Sequence, residues 1–151
     1  MKVIEQEICK RVATAFKAVL PGFDVEGNFL PDETGTFKGM EVYSPGKLIV
    51  TVGARSYPAY TSLIATLEVS LECEIPVEAD ASLERAVAAF GAMTALLEEW
   101  HGSLAAVKRD LTVEDGFDPV GLRLSGGDFD LDRDDKTRRF SQSFEIKGRI
   151  V

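Results

Sequence analysis

Apolar and polar residues alternate over residues 62–75, SLIATLEVSLECEI. Side chains of an extended strand point alternately to its two faces, so this pattern predicts one long strand with an apolar core face and a mostly polar face. We expect a strand of this length at the centre of a sheet. The apolar face is formed by Leu63, Ala65, Leu67, Val69, Leu71, Cys73 and Ile75.

Apolar residues three and four positions apart predict two helices. The first covers residues 2–20 and ends at Pro21 and Gly22, which stop a helix. The second runs from about Ser82 to Trp100, with Asp80 or Ser82 as the N-cap. The apolar face of the first helix contains Ile4, Ile8, Val12, Phe16, Val19 and Leu20.

The second helix is rich in alanine and carries no charge between Arg85 and Glu98. A helix that is apolar on all sides is buried on more than one side, which would require another subunit to cover part of it. The alternative is an ordinary helix with one buried stripe. That stripe would contain Leu83, Val87, Phe90, Thr94 and Leu97.

Three further strands are predicted in the first half of the chain. Residues 23–26 are a candidate edge strand. Residues 36–43 and 47–52 are expected to form a hairpin around Ser44-Pro45-Gly46, because proline restricts φ and glycine permits positive φ. The LIVTV run in the second of these is apolar at nearly every position, which predicts a strand covered on both faces.

The last third of the chain reads as a hairpin. Residues 120–131 alternate with a change of phase at Gly126-Gly127, where an extra residue would make a β-bulge. Residues 139–151 alternate throughout and should pair with them around residues 132–137. Residues 104–113 fit a helical turn or a strand, and the shared parity of Val107, Leu111 and Val113 favours a strand.

The length of 151 residues, 45% of them hydrophobic, is typical of one domain with a proper core. We therefore expect a single α+β domain over residues 1–151. Its sheet is predicted to be mixed or antiparallel around the long central strand. The N-terminal amphipathic helix and the Ala-rich helix pack on it, and the C-terminal hairpin completes it.

Twenty-five acidic and 17 basic residues give a net charge of −8. Nucleic acids and anionic membranes attract clustered cations, so this charge disfavours both as the main partner. Residues 1–12 lack the apolar stretch of a signal peptide, and no apolar run reaches the roughly 18 residues of a membrane span. Cys9 and Cys73 fall on predicted core faces without a C-x-x-C pair, which indicates free thiols in the cytoplasm.

The most conspicuous polar cluster is the GGDFDLDRDDK segment, which contains Asp128, Asp130, Asp132, Asp134 and Asp135. Alternating aspartates resemble the start of a calcium loop, which requires glycine at its sixth position and an acid at its twelfth. Here those positions are Arg133 and Arg139. We therefore expect no metal site, and a solvated hairpin tip or a charged docking loop instead.

The sequence contains no catalytic or cofactor-binding signature. Its only histidine, His101, lies at a predicted helix end without an identifiable nucleophile or orienting carboxylate. No glycine pattern matches a phosphate-binding or dinucleotide-binding loop. We expect a protein that is not an enzyme and holds no cofactor.

Two loops are candidate partner-binding segments. Residues 53–61, GARSYPAYT, combine arginine and tyrosine, which supply much of the binding energy at interfaces. The alternative is a surface loop whose tyrosines fold back onto the sheet. With the hairpin tip, the predicted subunit or partner interface comprises Arg55, Tyr57, Tyr60, Asp130, Asp132, Arg133, Arg138 and Arg139.

The order of elements resembles the tail-terminator and tail-completion (neck) proteins of long-tailed bacteriophages and prophages. The segments SPGKLIVTV, ASLERAVAAFGAMTALL and RRFSQSFEIKGRIV carry this resemblance, which lies in layout and strand character and includes no diagnostic motif. It implies a small α+β subunit that forms a ring, with six copies suggested, capping the tail tube and joining it to the head.

Under this resemblance the partners are other copies of the chain, the tail tube and head-connector proteins, and the protein is found in the host cytoplasm or in the virion. The acidic side of the long strand, Glu68, Glu72 and Glu74, would then be a solvent face or line a surface or lumen of the assembly. Two alternatives stay open: an interaction adaptor unrelated to phage, and a small ligand-binding or catalytic domain with a pocket between helix and sheet.

Overall fold

The computed structural model describes residues 3–30, 46–57, 63–77, 83–130 and 137–151. This part of the chain forms an α+β fold, as the sequence predicts. In chain order its elements are α1 (Ile4–Val19), β1 (Asp24–Gly27), β2 (Lys47–Val52), β3 (Ile64–Pro76), α2 (Glu84–Gly102), α3 (Leu104–Leu111), β4 (Phe117–Asp130) and β5 (Thr137–Ile150).

The five strands form one mixed sheet in the order β1-β2-β3-β5-β4. β1 is parallel to β2, and the other neighbours are antiparallel. β3 lies at the centre and pairs with β5 along its whole length, from Ile64 opposite Arg149 to Pro76 opposite Thr137. The predicted long central strand is therefore confirmed.

The core lies between one face of the sheet and the three helices. Every second residue of β3, from Ala65 to Ile75, has no solvent exposure. Trp100 of α2 joins the layers, because its ring makes edge contacts with Phe16 of α1 and Phe144 of β5 at centroid distances of 5.6 and 5.7 Å. Leu63, which the alternation assigns to the core face, precedes β3 and is 67% exposed.

Described helices pack on one face of the sheet, and most residues on its other face stay exposed or half-buried; Thr66 of β3, 8% exposed, is an exception. Glu68 and Glu72 of β3 are exposed there, and Glu145 of β5 is half-buried. This one-sided packing corrects the prediction that β2 is covered on both faces. Its burial alternates: Leu48, Val50 and Val52 are buried, Ile49 is half-buried and Thr51 is exposed.

α2 confirms the predicted second helix but not its cap or its buried stripe. The residue at the N-cap is Leu83, in a left-handed conformation with φ of 67° and no side-chain cap, in place of Asp80 or Ser82. The buried residues are Ala86, Ala89, Met93, Leu96, Leu97 and Trp100. Of the predicted stripe only Leu97 belongs to this set, and Val87 is 57% exposed, because alanines occupy the closest approach to the core.

Residues 104–111 form a helix, α3, and the prediction of a strand is wrong. The side chain of Ser103 accepts a hydrogen bond from the backbone N–H of Ala106 at 3.2 Å, which caps the first turn. Val107 and Leu111 are four residues apart, a spacing that places them on one face of a helix as well as on one face of a strand. Both are buried, so burial alone fits either structure.

The C-terminal hairpin is confirmed by the pairing of β4 with β5. The register shifts between Leu124 and Gly126, which makes Ser125 the extra residue of the predicted bulge, and Gly126 has a φ of 104°. A second, unpredicted shift lies between Pro119 and Gly121. Proline has no N–H to donate, so a bulge beside it costs the ladder little.

β1 confirms the edge strand predicted over residues 23–26. The strand predicted at residues 36–43, and its hairpin with residues 47–52, lie outside the described residues. β2 itself pairs with β1 on one side and β3 on the other.

Candidate functional site

Arg55, predicted as an interface residue, forms an ion pair within the chain. Its Nε donates to Oε2 of Glu5 at 3.1 Å and its Nη2 donates to Oε1 at 2.6 Å. The hydrogen bond from Arg55 holds the pKa of Glu5 below its ordinary value, against the opposing effect of burial. This pair fixes the segment after β2 to the first turn of α1.

Tyr57, next to this ion pair, is 49% exposed. Between them, Ser56 forms an isolated antiparallel bridge with Thr66 of β3, so the segment runs along the sheet edge left by β2. Glu5, and to a smaller extent Tyr57, raise the pKa of Arg55. Tyr60 lies outside the described residues.

The hairpin residues of the predicted interface lie at the other end of β3. Arg139 stands opposite Glu74, and its Nε is 3.6 Å from Oε1 of that residue; Arg138 stands opposite Ile75. Asp130 ends β4 opposite Arg139, while Asp132 and Arg133 lie outside the described residues. About eight strand residues separate this end from Ser56, roughly 26 Å, so the structure does not bring the two predicted sets together.

A groove of about 260 Å³ separates α2 from the outer half of the β4–β5 hairpin. Sequence reasoning did not predict it. Its apolar floor is formed by Phe90, Leu97 and Leu124, and Leu124 is 37% exposed because β4 extends past the cover of the helix. Gln142 is buried at the base of the groove and donates through Nε2 to Oγ1 of Thr94 at 2.8 Å, which joins sheet to helix.

Two acidic residues line this groove, and Arg139 lies beside one of them in the adjoining depression. The two are Glu98 of α2 and Asp128 of β4, and both are exposed without an ion-pair partner among the described residues. Such an open apolar groove with acidic edges can accept an aliphatic side chain that is flanked by cations. The only feature of the sequence that pointed to this groove was the predicted β-bulge in β4 at Gly126.

A second surface, where the end of α2 meets α3, holds an ion-pair network. Arg109 donates to both carboxylate oxygens of Asp110 and to Glu99, and Asp110 accepts a 2.8 Å hydrogen bond from Nε1 of Trp100. These donors lower the pKa of Asp110, with Arg109 the largest cause. The network therefore ties α3 to the end of α2 and anchors the core tryptophan.

The described residues hold no group of three or more His, Cys, Asp or Glu side chains placed to bind a metal ion. Asp128 is exposed, and most of the aspartate cluster lies outside those ranges. His101 is exposed in the last turn of α2. Among the described helices, none is long and apolar enough to cross a membrane.

The two cysteines are free and buried, as predicted. Burial raises the pKa of both thiols, and that of Cys73 reaches about 12. A buried thiol with a raised pKa is a poor nucleophile, because the thiolate is the reactive form. Cys9 and Cys73 therefore act as core residues.

Comparisons with known proteins give a fold and no family. No protein-family model and no curated protein matches this sequence. Among solved structures, a chain in the virion of a native gene transfer agent (GTA) particle shares the fold with a TM-score of 0.52 and 17% identity. The alignment covers 97% of this chain and 91% of that one, so the likeness extends over nearly the full length of both.

Proposed function

We propose that this chain is a structural subunit of a phage or phage-derived virion. The observation that carries the proposal is the fold shared, over nearly the whole of both chains, with a component of a gene transfer agent virion. The layout of elements in the sequence supports the same class independently, through its resemblance to tail-terminator and neck proteins. A shared fold supports a function only by analogy. Here the analogy is strengthened because the two chains align over nearly their whole lengths.

Within that class we propose the role of a tail terminator or head–tail joining subunit, which forms a ring with copies of itself at the end of the tail tube. The partners are then the tube and the head connector, and the protein passes from the host cytoplasm into the virion. The described surface supports a role in binding: an open sheet face, a long hairpin and an acidic groove. We propose no enzymatic activity.

Imaging of particles from a producing strain tests this role. An epitope tag on the subunit should place antibody-bound gold at the junction of head and tail, whereas a tag on the main tube protein should label the tube along its length. Deletion of the gene should leave heads and tubes unjoined. Purified particles that lack the tagged subunit would exclude the virion role, and label along the tube would exclude the terminator role alone.

The genes beside this one provide a second test. We expect them to encode a portal protein, a main tail protein or a tape-measure protein, since virion components are assembled together. The protein-interaction adaptor and the small ligand-binding domain predict no such neighbours. An unrelated gene context, together with intact particles in the deletion strain, would favour one of these alternatives.

A further inference from the structure

On the β2 side of the sheet, a side chain takes the place of a strand. Where β1 ends, Nδ2 of Asn28 donates to the carbonyl of Val52 at 2.9 Å, and Oδ1 of Asn28 accepts from the backbone N–H of Val52 at 3.1 Å. Farther along, Ser56 forms a bridge with Thr66 of β3. The backbone groups of Val52 and Thr66 therefore have partners where β1 no longer reaches.

The opposite edge of the sheet, formed by β4, is open over residues 122–129. Phe117 exchanges both of its backbone hydrogen bonds with Val113, and Ile150, which stands opposite Phe117 in β5, donates to Leu63 on the β3 side. The backbone groups of Phe117 therefore point away from β5, and this direction alternates along a strand. The register gives the same outward direction to four further residues: Leu122, Leu124, Gly127 and Phe129. Their backbone groups have no partner on this edge among the described residues.

The β-bulge at Ser125 determines which strand can pair with this open edge. Leu124 and Gly127 are successive outward-facing residues, yet the bulge places two residues between them where a regular strand has one. A regular strand would therefore lose its register at this point. A second, antiparallel copy of β4 has the same extra residue at the same place, so Leu124 of each copy faces Gly127 of the other. The glycine leaves room for Leu124, which is 37% exposed in the single copy.

The same register pairs opposite charges. Arg123 stands opposite Glu145 of β5 and Asp128 stands opposite Ser141, so both lie on the open face of the sheet. Both are exposed, and neither forms an ion pair with another described residue. In the antiparallel pairing, Arg123 of each copy faces Asp128 of the other, and opposite charges in facing positions stabilise a sheet. The occupant that the bulge and the charges favour is therefore a second copy of this chain.

We propose that two copies of this chain pair along β4, antiparallel and about a twofold axis at the bulge, so that their sheets become continuous. Each facing pair of outward residues then exchanges two backbone hydrogen bonds. The contact is isologous and closes at two copies, so it differs from the head-to-tail contact that a ring requires and goes beyond the proposed virion role. It covers the open edge of the free subunit, which would otherwise be a template for aggregation.

Disulfide trapping tests the register, and the native cysteines are buried and do not interfere. Oxidation of Arg123→Cys/Asp128→Cys should give covalent dimers and nothing larger, because each thiol faces its counterpart on the other copy. Each single variant should cross-link far more slowly, since a residue and its own copy lie about four strand positions apart, about 13 Å, which a disulfide cannot span. The control Arg123→Cys/Glu72→Cys, with its second thiol two strands away on the same face, should behave like the single variants.

Charge reversal tests the pairing of Arg123 with Asp128. Arg123→Glu and Asp128→Arg should each weaken dimerisation measured by sedimentation by about tenfold or more, because each places two pairs of like charges in the contact. The combined variant Arg123→Glu/Asp128→Arg should restore the dimer, since the exchange recreates opposite pairs. Glu72→Arg, on the same face but away from the edge, is the matched control and should leave dimerisation unchanged. Thermal unfolding of each variant shows that it is folded.

Four results would overturn the contact. They are a protein that stays monomeric up to its solubility limit, a double-cysteine variant that cross-links no faster than its control, covalent species that continue beyond the dimer, and no rescue by the charge exchange. Gold labelling of the virion is independent of all four. A monomeric chain with the label at the head–tail junction would refute this contact and leave the virion role intact. A trapped dimer with no label in the particle would do the reverse.

Discussion

The ion pair between Glu5 and Arg55 allows a quantitative prediction. A single substitution tests whether Arg55 stabilises the folded protein. Glu5→Gln keeps the size of the side chain and removes its charge. The side chains are 10% and 28% exposed in the ion pair, so water screens them only in part. We expect the variant to fold and to lose free energy of unfolding at neutral pH.

The magnitude follows from the two hydrogen bonds at 2.6 and 3.1 Å. A hydrogen bond to a charged group contributes roughly 1.5–3 kcal/mol, and the glutamine retains one acceptor oxygen, so we expect a loss of about 2 kcal/mol. The pKa of Glu5 is lowered in the folded protein. The stabilisation is therefore fully present above the unfolded pKa and disappears as the pH falls through the lower folded pKa.

Urea unfolding of the wild type and the variant at pH 7 and at successively lower pH measures this difference. The control is Glu7→Gln, which removes another carboxylate of the first turn of α1, where its neighbour Lys10 is 4.0 Å away. It should cost less than about 1 kcal/mol. A Glu5→Gln loss no larger than that of the control, or one that persists unchanged in acid, would refute the assignment of Arg55 to the fold.

Two further predictions concern the core. Gly148→Ala should destabilise the protein by about 1–3 kcal/mol in urea unfolding, because the added Cβ would overlap the ring of buried Phe117. The control is Gly121→Ala, which has open space around its Cβ. Equal losses of unfolding free energy in the two variants would contradict this packing. Cys9 and Cys73 should not react with a thiol reagent in the native protein at pH 8 and should both react after unfolding, so rapid labelling of the folded protein would contradict their burial.

The sequence was informative wherever a strand has one covered face. Burial alternates in β3 from Leu67 onward and in β5 from Arg139 onward, because one side packs on the helices and the other meets water. The bulge at Ser125 was visible for the same reason, since an extra residue shifts the alternation by one. Strand order was not visible, because β1 pairs in parallel with β2 and the β3–β5 pairing skips α2, α3 and β4.

The errors have a common origin in spacings that two structures share. Val107 and Leu111 satisfy the period of a helix and that of a strand, and only the capping bond from Ala106 to Ser103 separates the two. α2 is ambiguous in a similar way, because alanine is compatible with both a buried and an exposed face. Its core side is formed by Ala86 and Ala89, whereas the larger Val87 is exposed.

The candidate site was harder to predict than the fold, because its parts are distant in the sequence. The acidic groove combines Phe90 and Glu98 with Leu124 and Asp128, and no local pattern connects α2 to the outer half of β4. Arg55 shows the opposite difficulty. Its residue type is typical of interfaces, yet its partner Glu5 lies fifty residues earlier in the chain.

The open face of the sheet restricts where a neighbouring subunit can lie. Glu68 of β3 stands directly opposite Glu145 of β5, and like charges in that position destabilise a sheet unless water screens them. A layer packed over this face would remove that water from both carboxylates at a high cost in free energy. Under the proposed ring role, subunit contacts are therefore expected away from this face, at the hairpin and at the edges of the sheet. In a ring built this way, the face with Glu68 and Glu72 stays wet, as a lining of the lumen or as part of the outer surface.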